Sequence, residues 1–193
     1  MKLSFSAVSL ALALSIGPAL AERPVATYKS DADHTFAFFE YSHLGYSFQR
    51  NRFDDVQGTV VLDLPWQTGQ VDVTIKVDSV HTGSGIFDDA LKGEQFFDAA
   101  NHPAITYRSS RLEFGKLDNL VGVDGNVTIK GVTKPLHLEV THFKCMMHPM
   151  KNKPACGVNA TGTIKRSDFD LGKYVPFVGD DVKLFVVLEG IQQ

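Results

Sequence analysis

The sequence predicts an all-β fold, roughly eight antiparallel strands arranged as a sandwich or a barrel. Three observations carry this expectation. Apolar residues recur at every second position, most cleanly at Val71, Val73, Ile75 and Val77, with Asp72, Thr74, Lys76 and Asp78 between them. Short polar breaks such as Lys116–Asn119 separate the alternating segments. One stretch, Ile86–Tyr107, departs from the pattern: Ile86, Phe87, Ala90 and Leu91 fall on one side of a short helix.

In chain order, Ala26–Lys29 reads as a first strand and Asp33–Tyr41 as a second, with Phe36 and Phe38 on one face and Ala37, Phe39 and Tyr41 on the other. His43–Arg52 has no clear period and is read as a turn or a short helical piece. Phe53–Leu64 is a strand ended by Pro65, and Val71–Val80 is the strand with one wet side. The helix is expected at about 84–95, with Ser84 or Thr82 as its cap and Asp88 and Asp89 favoured by its N-terminal dipole. His102-Pro103 returns the chain to extended geometry. Strands follow at Ala104–Phe114 and Leu120–Lys130, and Gly131–Pro135 reads as a tight connection. Leu136, Leu138 and Val140 mark another strand, and Val158–Lys165 and Val182–Gly190 complete the set. The last strand is apolar on both faces over Leu184–Leu188, so both faces are expected to be covered, the outer one by a helix or, in a homodimer, by a second subunit.

Lys2, the apolar run Leu3–Ile16 and Ala19-Leu20-Ala21 form the n-region, h-region and cleavage site of a secretory signal peptide. We therefore expect a leader at 1–21, a single domain at 22–193 and an exported protein, periplasmic in a Gram-negative cell. The net charge of −3 and the lack of a basic cluster argue against nucleic acid as a partner. Fourteen phenylalanines against one tryptophan require a very aromatic core or an aromatic-lined cavity.

Four segments resemble the YceI-like family of exported polyisoprenoid-binding proteins: Asp33-His34-Thr35 with Phe36 and Phe38, Leu91–Tyr107, Val123–Val140, and Ile164–Gly172 with Gly179–Leu184 beyond it. The resemblance implies an eight-stranded antiparallel, lipocalin-like barrel with the helix covering one end. It also implies a lumen holding an isoprenoid lipid, as a polyprenyl chain or a prenylated quinone such as ubiquinone. With that help, Phe36, Phe38, Phe53, Phe87, Leu91, Phe96, Phe143, Phe169 and Phe185 are the candidate lumen residues, and the helix reads as a lid rather than a plug. A carrier of this kind is expected to touch membrane surfaces transiently. The chain departs from the family pattern at Ala90 and Gly93, where the family commonly carries histidine and serine, and at Asp170, where a glycine usually follows the RSDF run. The first departure removes polar groups from the lid, and the second bears on a turn near the rim.

No G-x-S-x-G or H-E-x-x-H occurs, so neither a catalytic residue nor a metal ligand set is expected. His34, beside Asp33, and the turn residues Arg166 and Asp168 are the candidates for head-group contact. Cys145 and Cys156 bracket a proline-containing loop and, in an exported protein, are expected to form a disulfide contributing about 2–3 kcal/mol. The competing use of that loop is copper binding through Cys145, Met146, Met147, His148, Met150 and Cys156. A further reading lays Met146 and Met147 over a barrel mouth. A periplasmic enzyme acting on a small amphiphile is the remaining alternative.

Overall fold

The computed structural model describes residues 25–193; the leader expected at 1–21 lies outside them. The strands are β1 Ala26–Ser30, β2 Phe36–His43, β3 Ser47–Phe53, β4 Val56–Asp63, β5 Thr68–Lys76, β6 Val80–His81, β7 Ala104–Phe114, β8 Leu120–Ile129, β9 Val132–Met147, β10 Pro154–Lys165 and β11 Asp181–Gln192. One helix, α1, spans Gly85–Lys92. The order β1-β4-β5-β7-β8-β9-β10-β11 closes on itself through β1–β11 pairing, which gives an eight-stranded antiparallel barrel.

Closure is short. β1 pairs with β11 only from Tyr28↔Gln192 to Ser30↔Gly190. Nearer the start of β11, the same edge is taken by β2, from Val187↔Phe36 to Lys183↔Glu40. β3 and β6 continue outward from β2. The wall therefore flares at the end where β11 begins, and that end also carries α1, the β2–β3 turn, the β8–β9 turn and residues 166–180. This end is the mouth. The β4–β5, β7–β8 and β9–β10 hairpins lie at the opposite end.

The two-residue period sets inside and outside. Val71, Val73 and Ile75 of β5 face the interior, as the alternation requires. On β11 the inward set is Val182, Leu184, Val186 and Leu188. Its outward residue Phe185 pairs with Phe38 and lies under the Arg50 guanidinium, 4.7 Å from the ring centroid. Arg52 covers Phe36 in the same way at 5.1 Å. The outer apolar face of β11 is thus partly covered within the chain, by cation–π contacts.

Several expectations change. His43–Arg52 holds the expected turn only at its start, where Leu44 and Gly45 have positive φ; the rest is strand, β3 running antiparallel to β2 from Ser47. The period is obscured because β3 points polar Gln49 and Asn51 inward and Phe48 outward. The β8–β9 connection shrinks to Lys130-Gly131, both at positive φ, as a two-residue hairpin needs; Val132–Pro135 belong to β9. The helix is shorter than 84–95, because Gly93 ends it with its N–H on the Ala90 carbonyl. Met146 and Met147 are exposed near the β9–β10 turn, away from the mouth. Asp170 adopts left-handed geometry at φ 58, which accounts for a glycine being suited there.

Tyr107 bridges the lumen wall. Its hydroxyl donates to the Val123 carbonyl at 3.0 Å, and burial pushes its pKa well above the ordinary phenol value. The ring lies across Gly125, where a Cβ would sit 2.6 Å from Cζ. Gly125→Ala should destabilise the fold by about 1–3 kcal/mol in urea unfolding, since the ring has to move. Gly157→Ala, with its nearest neighbour at 3.8 Å, should stay within about 0.5 kcal/mol of wild type.

Candidate functional site

The barrel encloses a cavity of about 780 Å³, within the roughly 300–1,000 Å³ range of small-molecule sites. Every strand of the closed ring contributes to its lining, overwhelmingly with aliphatic and aromatic side chains. Tyr28, Leu62 and Cys156 line the narrow end, and Phe87, Tyr174 and Lys173 line the mouth.

The roof has two parts. Eight residues cannot hold a helix alone, so α1 depends on anchors. Leu91 packs against the core, while Phe87 is 63% exposed and Ile86 81%. The Ser84 side chain makes no cap bond. Instead Asp88 Oδ1 accepts from Thr82 N and Thr82 Oγ1, both at 2.7 Å. Phe96 and Phe97 then turn down into the barrel; Phe97 meets Phe39 and Phe53 edge-on, with centroids 6.2 and 5.5 Å away. α1 covers the mouth, and the phenylalanine pair is the plug beneath it. Lys130 fastens both to the opposite wall, with Nζ donating to the Glu94 carbonyl at 3.0 Å and the Asp170 carbonyl at 3.2 Å.

A second clasp holds residues 171–179. Arg166 is 7% exposed, and its guanidinium donates to four backbone carbonyls: Gly179 at 2.8 Å, Lys173 at 2.8 Å, Val178 at 2.7 Å, and Leu171. Burial lowers its pKa from the ordinary arginine value, with Asp180 and Tyr41 acting against that. Asp180 in turn accepts from Ser167 N at 2.9 Å and Ser167 Oγ at 2.8 Å.

Of the nine apolar candidates, Phe53, Phe87, Leu91, Phe96 and Phe143 line the lumen, whereas Phe38, paired with outward Phe185 and next to the Phe36 ring at 6.2 Å, has its side chain on the outer face of β2. Phe36 and Phe185 lie on the outer wall instead, because the inward face of β2 is Ala37, Phe39 and Tyr41. Phe169 is 1% exposed, but packs in the core at the 3-10 turn outside the lumen lining. His34 is exposed, far from the mouth, and pairs with Asp31 at 3.6 Å. Asp168 is exposed on that 3-10 turn. Arg166 does line the cavity, but its donors hold backbone rather than face a ligand. The residue missed by sequence reasoning is Asn51, 6% exposed on the lumen side of β3; its inward polar position lies in the segment whose period was unreadable.

Cys145 and Cys156 stand opposite each other on β9 and β10 and are bonded. The thiolates that copper binding requires are therefore consumed. Among the described residues, no three His, Cys, Asp or Glu side chains group as a metal site, and no helix is long and apolar enough to cross a membrane.

The YceI-like domain model matches residues 28–190. The chain is 34% identical over 171 residues to protein YceI of Salmonella arizonae, covering 87% of this chain and 88% of that protein. Among solved structures it resembles the Campylobacter jejuni YceI protein, at TM-score 0.67 and 29% identity, over 79% of this chain and 90% of the other. It also shares its fold with a polyisoprenoid-binding domain from Saccharophagus degradans, at TM-score 0.66 and 19% identity, over 86% and 98% of the two chains.

Two outcomes test the clasps. Arg166→Met should cost at least about 3 kcal/mol in urea unfolding, because it orphans four carbonyls, and Arg166→Lys should not restore the loss, since an ammonium lacks the planar fork. Hydrogen bonds from Thr82, the largest effect, hold the Asp88 carboxyl below its ordinary pKa. Because the folded-state pKa is depressed, the staple's contribution is present above the unfolded value of about 4 and is lost as pH falls through the folded one. The protection factor of the Thr82 amide, its exchange rate relative to the intrinsic rate at each pH, should therefore hold down to about pH 4 and fall below it; in Asp88→Asn this change in protection should vanish.

Proposed function

The chain belongs to the YceI-like family, and from that premise we propose that its barrel binds one long isoprenoid lipid, as a polyprenyl chain or a prenylated quinone such as ubiquinone. The observation that carries this reading is the enclosed apolar cavity of about 780 Å³, lined from the narrow end to the mouth. Such a lumen recognises a slender hydrocarbon by shape and dryness, and the structural neighbour from Saccharophagus degradans is itself a polyisoprenoid-binding domain. Binding, not catalysis, is the role: the lumen wall offers surface rather than a nucleophile beside a base.

Energetics favour a carrier. Burying a forty-carbon tail is nominally worth about 30 kcal/mol against water, more than the roughly 18–21 kcal/mol at which non-covalent affinity saturates. In a bilayer the tail is already out of water, so the lumen need only match the membrane. The lipid is then retained in the aqueous space and exchanged where the mouth meets a membrane. Exposed Tyr46, Phe48, Phe87 and Phe177 near the mouth support transient contact of that kind. Two lysines lie over rim aromatics, Lys173 over Tyr174 at 4.7 Å and Lys183 over Phe48 at 5.9 Å, a pairing suited to the headgroup zone. Export through the leader at 1–21 would put the carrier in the periplasm, between two membranes. The partly covered outer face at Phe36, Phe38 and Phe185 is where a homodimer would form.

Native mass spectrometry after loading with an octaprenyl quinone tests the reading. Wild type should retain one lipid. Leu91→Asp, which places a carboxylate in the apolar roof, should lower occupancy at least about tenfold, and Phe87→Asp, at a more exposed position, should lower it less. Full occupancy in a folded Leu91→Asp protein would put the ligand elsewhere.

A further inference from the structure

The lumen contains a buried polar group that the fold does not use. Asn51 sits on β3 directly opposite Phe39, two positions from Phe53, in the aromatic bed that Phe97 closes. It is 6% exposed, its Nδ2 is shielded from solvent, and among the described residues its amide makes no hydrogen bond. Of its polar neighbours, Gln49 donates to Ser47 at 2.8 Å and Arg166 is spent on carbonyls; Arg52 Nε, 2.6 Å from Asp54 but also without an aligned hydrogen bond, belongs to the outer face, where its guanidinium covers Phe36. A leucine has the same γ-branched outline and would cost nothing in hydrogen bonds, whereas a buried, unpaired amide is a standing penalty.

We propose that Asn51 is the head-group subsite of the lumen, its amide hydrogen-bonding an uncharged, oxygen-bearing head group, carbonyl or hydroxyl, at the end of the isoprenoid chain. An amide supplies both a donor and an acceptor, so a quinone carbonyl and an alcohol both fit. A phosphate fits poorly, because a buried dianion needs a free cation and the two cations of the lining are committed, Arg166 to four carbonyls and Lys173 to the Tyr174 ring at the mouth. The bound lipid is thereby oriented, with its head beneath the roof and its tail running toward Leu62 and Cys156 at the narrow end. This rests on the isoprenoid-binding reading and specifies its ligand class.

The test compares three probes of equal prenyl length, a benzoquinone, the bare hydrocarbon and the monophosphate, in wild type and Asn51→Leu. Wild type should prefer the quinone to the hydrocarbon about five- to tenfold and take the phosphate no better than the hydrocarbon. Asn51→Leu should lose the quinone preference, keep its hydrocarbon affinity, and melt at a higher temperature when empty. The Asn51 side-chain amide resonance of wild type should shift with the quinone and stay in place with the hydrocarbon, a readout that needs no variant. An undiminished quinone preference in Asn51→Leu, equal losses for both neutral probes, or tightest binding of the phosphate overturns the assignment. If wild type loads none of the three, the isoprenoid reading itself fails and this inference falls with it.

Discussion

The edge of β11 is divided between two strands, and the rest of the molecule follows from that division. Three residue pairs with β1 close the ring; nearer the start of β11, the same edge belongs to β2. A fully closed ring of eight strands has room for little more than its own side chains or one slender ligand. Here closure at one end makes the interior dry, and flaring at the other gives it a mouth. The flare also exposes the tops of the interior side chains, so a roof is required. α1 and the Phe96-Phe97 pair provide it.

Polar chemistry at the mouth is spent almost wholly on holding that roof. Arg166 gathers residues 171–179 by their carbonyls, Lys130 ties the segment after α1 to the far wall, and Asp88 fastens the helix to Thr82. Each device uses a charged or hydroxyl group to satisfy backbone that irregular loops would leave unpaired. Even Arg166, which lines the cavity, commits its donors to backbone carbonyls. The apolar space beneath the roof is thus kept for apolar side chains, with the charged groups of the clasps paired at the rim.

Sequence patterning made the barrel legible where one face of a strand is wet and the other dry. β5 is the clear case: Val71, Val73 and Ile75 are where the alternation places them. The cysteine pair was legible too, because a disulfide is the simplest fate of two nearby thiols in a chain whose sequence reads as exported. Patterning failed where the mouth reverses polarity. β3 turns Gln49 and Asn51 inward and Phe48 outward, so its period reads as noise. On β2 both faces are aromatic, and alternation alone cannot choose between them; arginines from β3 cover the outer rings, a contact that exists only once the strands pair. Arg166 was recognised as a rim residue, but its four carbonyl partners lie 5 to 13 positions further along the chain, beyond the reach of local pattern. Resemblance to the family supplied the barrel and its ligand class, which periodicity left as sandwich or barrel.

A lumen that is a binding site carries a ligand, whereas a packed core carries none. Solvent extraction of protein purified from its native host without added lipid, with mass spectrometry of the extract against protein amount, tests this difference most directly. The account requires a long isoprenoid with an uncharged head group, close to one per barrel. Protein that emerges lipid-free and refuses every added prenyl lipid would contradict it.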